Sequence, residues 1–232
     1  MQCVALVAAG GVGARLGAGV AKAFAELAGT SLLTHAVTRL AAAHEVSAVI
    51  VAVPADYLEV AKSMLGDTIP AATEAGTPTP VTVITGGVLR QDSVRRMLAA
   101  APAQTTHVLV HDAARALAPT ELADRVITAL AAGAEAVIPV LPVVDTLASV
   151  ADDRVTGTVA RDGVRIVQTP QGFSYDLLVR AHDTNAGEWE ATDDSSMVMR
   201  LGAQVHTIPG DRAAFKVTTP EDVLIARALL HR

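Results

Sequence analysis

The sequence predicts an α/β fold built on a mostly parallel sheet, and three observations lead there. Short β-branched apolar runs alternate with amphipathic stretches of helical period. Several runs are apolar at nearly every position, as expected of strands covered on both faces. Strands alternating with helices connect by right-handed crossovers into a parallel sheet. At 232 residues the chain fits one large domain, expected to span 1–232.

The first strand, 4–9, empties into a glycine-rich loop, 10–19. A helix is expected over 31–43 and a strand over 48–53. Pro54 leads into a helix over 55–65, since proline is tolerated at helix starts, and Gly66 sits where its C-cap belongs. Residues 70–80 have no periodicity and read as a loop. A strand over 81–85 reaches Gly86-Gly87 and a helix over 91–101. A strand over 106–111 follows, then Pro119, a helix over 120–132 and Gly133. A strand over 136–140 closes the regular alternation, and Pro220 opens a last helix. Between them, 143–160 reads as two short strands around Asp152-Asp153. This hairpin interrupts the βα rhythm, so it should project as an arm. A lone two-stranded ribbon is marginal in water, so packing on a second subunit is expected.

The composition narrows the function. Hydrophobic residues make up 51% and aromatics only 3%, so the core is aliphatic. No apolar run approaches the roughly 20 residues that span a bilayer. No basic segment precedes the first apolar run, so a signal peptide is not expected. The single cysteine, Cys3, excludes an internal disulfide and fits a reducing compartment, the cytoplasm. A formal net charge of −6 argues against a nucleic-acid groove. Any phosphate site must therefore be a local cluster of cations.

Such a cluster begins in the loop Gly10-Gly11-Val12-Gly13-Ala14-Arg15-Leu16-Gly17, with Lys22 just beyond. Glycines let backbone N–H groups approach phosphate oxygens, and the cations neutralise charge the amides cannot. A tight connection without ligand is the plainer reading. Two known signatures fail: Lys22 lies between Ala21 and Ala23, unlike a P-loop lysine, and Leu16 stands where a dinucleotide fingerprint needs its third glycine. Other strand ends converge on the same rim, where ligands of such sheets bind. After one of them comes His111-Asp112-Ala113-Ala114-Arg115. Asp112 there is placed to hold Mg²⁺ between phosphate oxygens, or merely to cap the turn. Arg115 either pins the loop or touches ligand. His107 and His111 read as structural. In Gly86-Gly87-Val88-Leu89-Arg90-Gln91-Asp92-Ser93, the glycines suit close approach of a flat base and the serine hydroxyl its edge. Asp92 or Ser93 is otherwise a helix cap. Thr169-Pro170-Gln171 and Thr192-Asp193-Asp194-Ser195 are polar clusters before helices. Lys216 sits inside a strand-like run, Phe215–Thr218.

Together these segments resemble the 2-C-methyl-D-erythritol 4-phosphate cytidylyltransferase family of the nonmevalonate isoprenoid pathway. The resemblance runs from AAGGVGARL…K through GGVLRQDSV, VLVHDAAR, the DT…R arm, QTPQGF and TDDSS to FKVTTPED. It implies a three-layer α/β/α Rossmann-like nucleotidyltransferase, a homodimer formed through the arm, CTP as substrate and a divalent cation, usually Mg²⁺. By position it implies that Arg15, Lys22, Arg161 and Lys216 are catalytic. Ala8, Ala9, Gly10, Gly11, Gly13, Gly87, Asp92, Ser93 and Ala113 would bind the nucleotide, and Asp112 the metal. Thr146, Arg161, Thr169 and Lys216 would bind the sugar phosphate, with Thr146 and Arg161 reaching into the neighbouring subunit. Two departures stand out: Ala8 and Ala21 occupy positions where the family commonly has proline, which removes φ restraints from the loop. Rival readings are a cytidylyltransferase acting on ribitol 5-phosphate, a nucleotide-binding module without catalysis, and an NAD oxidoreductase.

Overall fold

β1 (Cys3–Ala8) buries side chains on both of its faces. Cys3, Ala5 and Val7 join one apolar cluster, while Val4 and Leu6 join another. Alternate residues of a strand point to opposite faces, so a run with no polar position must be covered twice. The computed structural model describes residues 1–10, 21–70, 77–184 and 189–230.

Within these residues β2 (Glu26–Leu27) and β3 (Thr30–Ser31) form a small ribbon before α1 (Leu32–Ala41). Then come β4 (Val46–Val53), α2 (Leu58–Leu65), β5 (Thr68–Ile69), β6 (Thr79–Thr85), α3 (Arg90–Ala99), β7 (His107–Asp112), α4 (Thr120–Ala131) and β8 (Ala136–Pro142). β9 (Leu147–Ala151) and β10 (Arg154–Val159) are followed by β11 (Arg165–Val167), β12 (Gln171–Ser174), α5 (Tyr175–Thr184), α6 (Asp194–Arg200), β13 (His206–Pro209) and α7 (Pro220–Leu230). The main sheet runs β11-β8-β12-β7-β1-β4-β6-β5, with β13 beside β8. β7, β1, β4 and β6 are mutually parallel, whereas β12 is antiparallel to both β7 and β8.

Helices cover both faces. α1 and α4 place Leu33, Val37 and Leu40, and Ala123, Val126, Ile127 and Leu130, against one side. α3, α5 and α6 place Val94, Met97, Leu178 and Val198 against the other. The i, i+3, i+4, i+7 spacing within α4 is the stripe a helix needs to face a sheet. Three layers result, as the resemblance implied.

Two local expectations differ from the structure. The first turn after Pro54 is a 3₁₀ turn, Ala55–Tyr57, before α2 begins. The strand expected around Lys216 is an extended segment outside the sheet, between the 3₁₀ turn Arg212–Ala214 and α7. It is apolar because Val217 packs into the cluster under α7 with Leu27, Leu32 and Ala226, not because it pairs with a strand.

The hairpin is present. β9 and β10 pair antiparallel as a separate two-stranded sheet, joined through Asp152 and Asp153 at φ +47° and +60°. Two successive positive φ values are those of the hairpin turn whose twist matches the strands. Apart from half-buried Leu147, every residue of the two strands is exposed.

The order of strands places the site. From β1 the chain steps outward to β4 and β6, then returns to β7 on the other side of β1. The carboxyl ends of β1 and β7 therefore flank a topological switch point, where open α/β sheets bind ligands. In register, Ala8 lies beside Asp112 across that point.

Candidate active site

A cavity of about 360 Å³ opens at this switch point. Ala8, Ala9 and Gly10 approach it from β1, Asp112 and Ala113 from β7, and Gly87 and Ser93 from the start of α3. Lys22, Arg90 and Lys216 add cations to its wall. Ten positions expected at a nucleotide or phosphate site are thus brought together: Ala8, Ala9, Gly10, Lys22, Gly87, Ser93, Asp112, Ala113 and Lys216 line the cavity, and Thr169 backs it. Thr169 Oγ1 accepts the Asp112 N–H at 3.1 Å and lies 2.9 Å from His111 Nδ1. His111 is buried, and burial pushes its imidazole pKa down to about 4, so it is neutral at pH 7. Gly11, Gly13 and Arg15 lie outside the described residues.

Asp112 is the electrostatic centre. Arg90 Nε donates to its Oδ1 at 3.0 Å and Lys216 Nζ to its Oδ2 at 2.9 Å. Burial works to raise its pKa, but the Arg90 and Lys216 cations outweigh this and hold the carboxyl well below the usual range. Asp112 is therefore a fixed anion, not an acid or base for proton transfer near neutrality. Arg90 is anchored on its far side: Nη1 donates to Asp194 Oδ2 at 2.6 Å, and Asp194 Oδ1 lies 3.0 Å from His182 Nε2. Asp194 is fully buried, yet Arg90 and His182 outweigh that burial and keep it ionised.

Lys216 is delivered by its neighbours. Val217 N–H donates to Ala114 O at 2.8 Å, tying the extended segment to the loop after β7. Arg115 Nη1 donates to Ala214 O at 2.8 Å and Nη2 to Val167 O at 3.2 Å. Of the two roles open to Arg115, the structure has it pinning loops, through carbonyls. One ammonium N–H of Lys216 is used on Asp112, and two remain for a ligand.

The turn before α3 is also constrained by its own helix. A Cβ on Gly87 would lie 2.2 Å from Asp92 Cβ, and one on Gly86 would lie 2.8 Å from Ser93 Oγ. Gly87 excludes a side chain because the loop folds onto its own helix, while a side chain at Gly86 would displace the Ser93 hydroxyl. Ser93 Oγ accepts the Gly87 N–H at 3.0 Å and donates to Leu89 O at 3.3 Å. Asp92 is absent from the cavity wall, and its carboxylate accepts the Leu89 N–H at 3.2 Å across the first turn of α3, the capping arrangement that was one of its two expected roles. Capping is the local job for a short acidic side chain there.

Thr146 and Arg161 are exposed on the arm and do not line the cavity of their own subunit. The Arg161 guanidinium donates to Val144 O at the base of the arm. Among the described residues no group of three His, Cys, Asp or Glu side chains is placed to hold a metal. Among the described residues Asp112 alone offers an ionised carboxylate in the cavity, which suits Mg²⁺, since that ion takes one or two carboxylates and completes its shell with phosphates and water.

Comparison with known proteins decides the family. The model of the family described as IspD, 2-C-methyl-D-erythritol 4-phosphate cytidylyltransferase, matches residues 3–232. The chain belongs to the 2-C-methyl-D-erythritol 4-phosphate cytidylyltransferase family. It is 49% identical over 230 residues to the cytidylyltransferase of Nocardia farcinica, covering 99% of this chain and 94% of that one. The crystal structure of the Thermus thermophilus cytidylyltransferase is similar at TM-score 0.78 and 35% identity, with all of both chains covered. The 4-diphosphocytidyl-2C-methyl-D-erythritol synthase of Anaerococcus prevotii matches at TM-score 0.83 and 28% identity, covering 100% of this chain and 96% of that one.

For a member of this cytidylyltransferase family, sequence reasoning left two residues of the site without a role. Arg90 sits inside the quoted GGVLRQDSV segment, but its partners Asp112 and Asp194 are 22 and 104 residues away. Asp194 lies in TDDSS, where a cap was one expectation; the cap is Asp193, which accepts the Ser196 N–H at 3.0 Å. The signal available was a second acid directly after a capping acid at a helix start.

Proposed function

We propose that the chain transfers CMP from CTP to 2-C-methyl-D-erythritol 4-phosphate, releasing pyrophosphate. The observation that carries this reading is the anion-ready cavity at the switch point: Lys22 and Lys216 on its wall and an ionised Asp112 clamped by Arg90, in a chain whose family has this activity in its name. The acceptor phosphomonoester is already largely dianionic near pH 7, because its second pKa is about 6. No general base is needed, which agrees with Asp112 being a fixed anion and His111 neutral. The obstacle is the approach of two anions, so positioning and charge neutralisation supply the rate. Lys22 would neutralise the phosphate oxygens whose charge grows as pyrophosphate leaves, a role the family resemblance extends to Arg15. Lys216 orients the attacking phosphate in line with the α-phosphorus.

Asp112 is the residue that would hold a divalent cation. Such an ion, when bound, would draw charge from the triphosphate oxygens. Arg90 keeps its carboxylate ionised and aimed. Ala8, Ala9, Gly10, Gly87, Ser93 and Ala113 would frame the cytidine, largely through backbone, and the resemblance adds Gly11 and Gly13 to the nucleotide-binding set. Thr146 and Arg161 would enter from the arm of a second subunit, making the functional unit a homodimer of single-domain chains. Among the described residues no helix is long and apolar enough to cross a membrane. Cys3 is a buried free thiol, which supports a cytoplasmic setting.

The test is pyrophosphate release from CTP with 2-C-methyl-D-erythritol 4-phosphate and, in parallel, with ribitol 5-phosphate. Turnover with the first and little with the second is expected. Preference for the second would reassign the acceptor, and CTP binding without pyrophosphate release would make the chain a binding module.

A further inference from the structure

Lys22 reaches the cavity from a single 3₁₀ turn, Lys22–Phe24, which the chain enters through Ala21 at φ −58° and ψ 135°. No side chain caps the start of this turn. The Ala21 N–H instead donates to Tyr57 Oη at 2.9 Å, across 36 residues of sequence. The Tyr57 ring lies against Phe24, with centroids 4.4 Å apart and planes at 31°. Tyr57 is itself held just past β4 by its N–H bond to Pro54 O at 2.9 Å. Two contacts from one side chain, a hydroxyl at the entry and a ring at the exit, thus hold the turn that presents Lys22.

We infer that Tyr57 is a positioning residue for Lys22, its hydroxyl fixing the angle at which the backbone delivers the ammonium to the cavity. The inference rests on the proposed role of Lys22 at the phosphates. The φ of Ala21, −58°, falls within the range to which a proline ring restricts the backbone, but proline has no N–H to give. The restraint at this position can therefore come from a ring in the backbone or from a donor held by Tyr57, and this chain has the donor. Small displacements of a charge-stabilising group cost rate steeply, up to about a hundredfold per ångström.

The experiment compares Tyr57→Phe, Ala21→Pro, the double variant and Lys22→Ala as reference, by steady-state kinetics with CTP and melting temperature. Tyr57→Phe keeps the ring contact and loses only the hydroxyl. It is expected to lower kcat about tenfold while KM for CTP and Tm stay near wild type. Ala21→Pro is expected to retain most of kcat, and adding Tyr57→Phe to it to cost nothing further. A wild-type kcat in Tyr57→Phe, or the same loss with and without Ala21→Pro, overturns the inference. If Ala21→Pro does not fold, Tyr57→Leu replaces it: losing the ring should lower Tm as well as kcat, and a kcat loss seen only in Tyr57→Leu, with Tyr57→Phe at wild type, would leave the hydroxyl no positioning role. An unchanged kcat in Lys22→Ala would instead sink the role of Lys22 itself.

Discussion

Arg90 grips Asp112 through Nε at 3.0 Å, and with Lys216 on the other oxygen this bond sets what the cavity carboxylate can do. A buried carboxyl without a cation would protonate near neutrality and lose its use for a metal or for orienting cations. With Arg90 on one oxygen and Lys216 on the other, Asp112 is an anion at every physiological pH.

Removing Arg90 should hurt stability and activity together. Asp194 is 0% exposed and would be left with its charge buried and only His182 beside it. Breaking a buried pair in this way costs about 3 kcal/mol. Arg90→Ala is expected to show that loss in urea unfolding, with kcat down about a hundredfold. Arg90→Lys is expected to recover little, because a point charge cannot serve two carboxylates from opposite sides. Full stability in Arg90→Ala would show that the fork is dispensable.

Lys22→Ala is expected to lower kcat about a hundredfold while raising KM for CTP far less. Charge on the departing pyrophosphate grows only as the bond breaks, so the cation matters most in the transition state. A pure KM effect would demote Lys22 to substrate binding.

Arg161→Ala is expected chiefly to raise KM for the sugar phosphate. Mixing it with Lys22→Ala tests whether the arm crosses between subunits. In a two-fold dimer each hybrid then has one site with both residues intact, so unfolding and refolding the mixture should recover about a quarter of wild-type activity. No recovery would place Arg161 and Lys22 in the same subunit's site or in none.

Stability should fall with acid in two windows. His111 has its folded pKa lowered by burial to about 4, so between there and the ordinary histidine value only the unfolded chain takes up that proton. Stability rises with pH across that window. Asp112 and Asp194 are held below the ordinary carboxyl value; their contribution is complete above about pH 4 and is lost as pH falls through their folded pKa values. Melting temperature followed from pH 7 to 3 should show both slopes. Asp112→Asn should flatten only the lower one, and an unaltered lower slope would contradict the ionised state assigned to it.

The sequence by itself determined the layers. Unbroken apolar runs such as β1 can exist only between two sheets of helices, and period alone says which residues of α4 face inward. It also placed the loops at one rim, because strand ends in a parallel sheet share an edge. Asp152-Asp153 was legible as a turn because positive φ is a local demand.

Tertiary structure decided what each polar group at that rim does. Asp92 was open to a nucleotide contact or a cap, and the fold gives its carboxylate the Leu89 N–H three residues away. The apolar run around Lys216 looked like a strand, because burial beneath α7 and burial in a sheet leave the same apolar signature. Arg90 had no visible role until the fold brought Asp112 and Asp194 to its two ends. Ala21 read as a lost restraint until its N–H was found on Tyr57. Spacing along a chain reports torsions and periods, whereas a charge or a hydrogen-bond donor is satisfied through space, by partners tens of residues away.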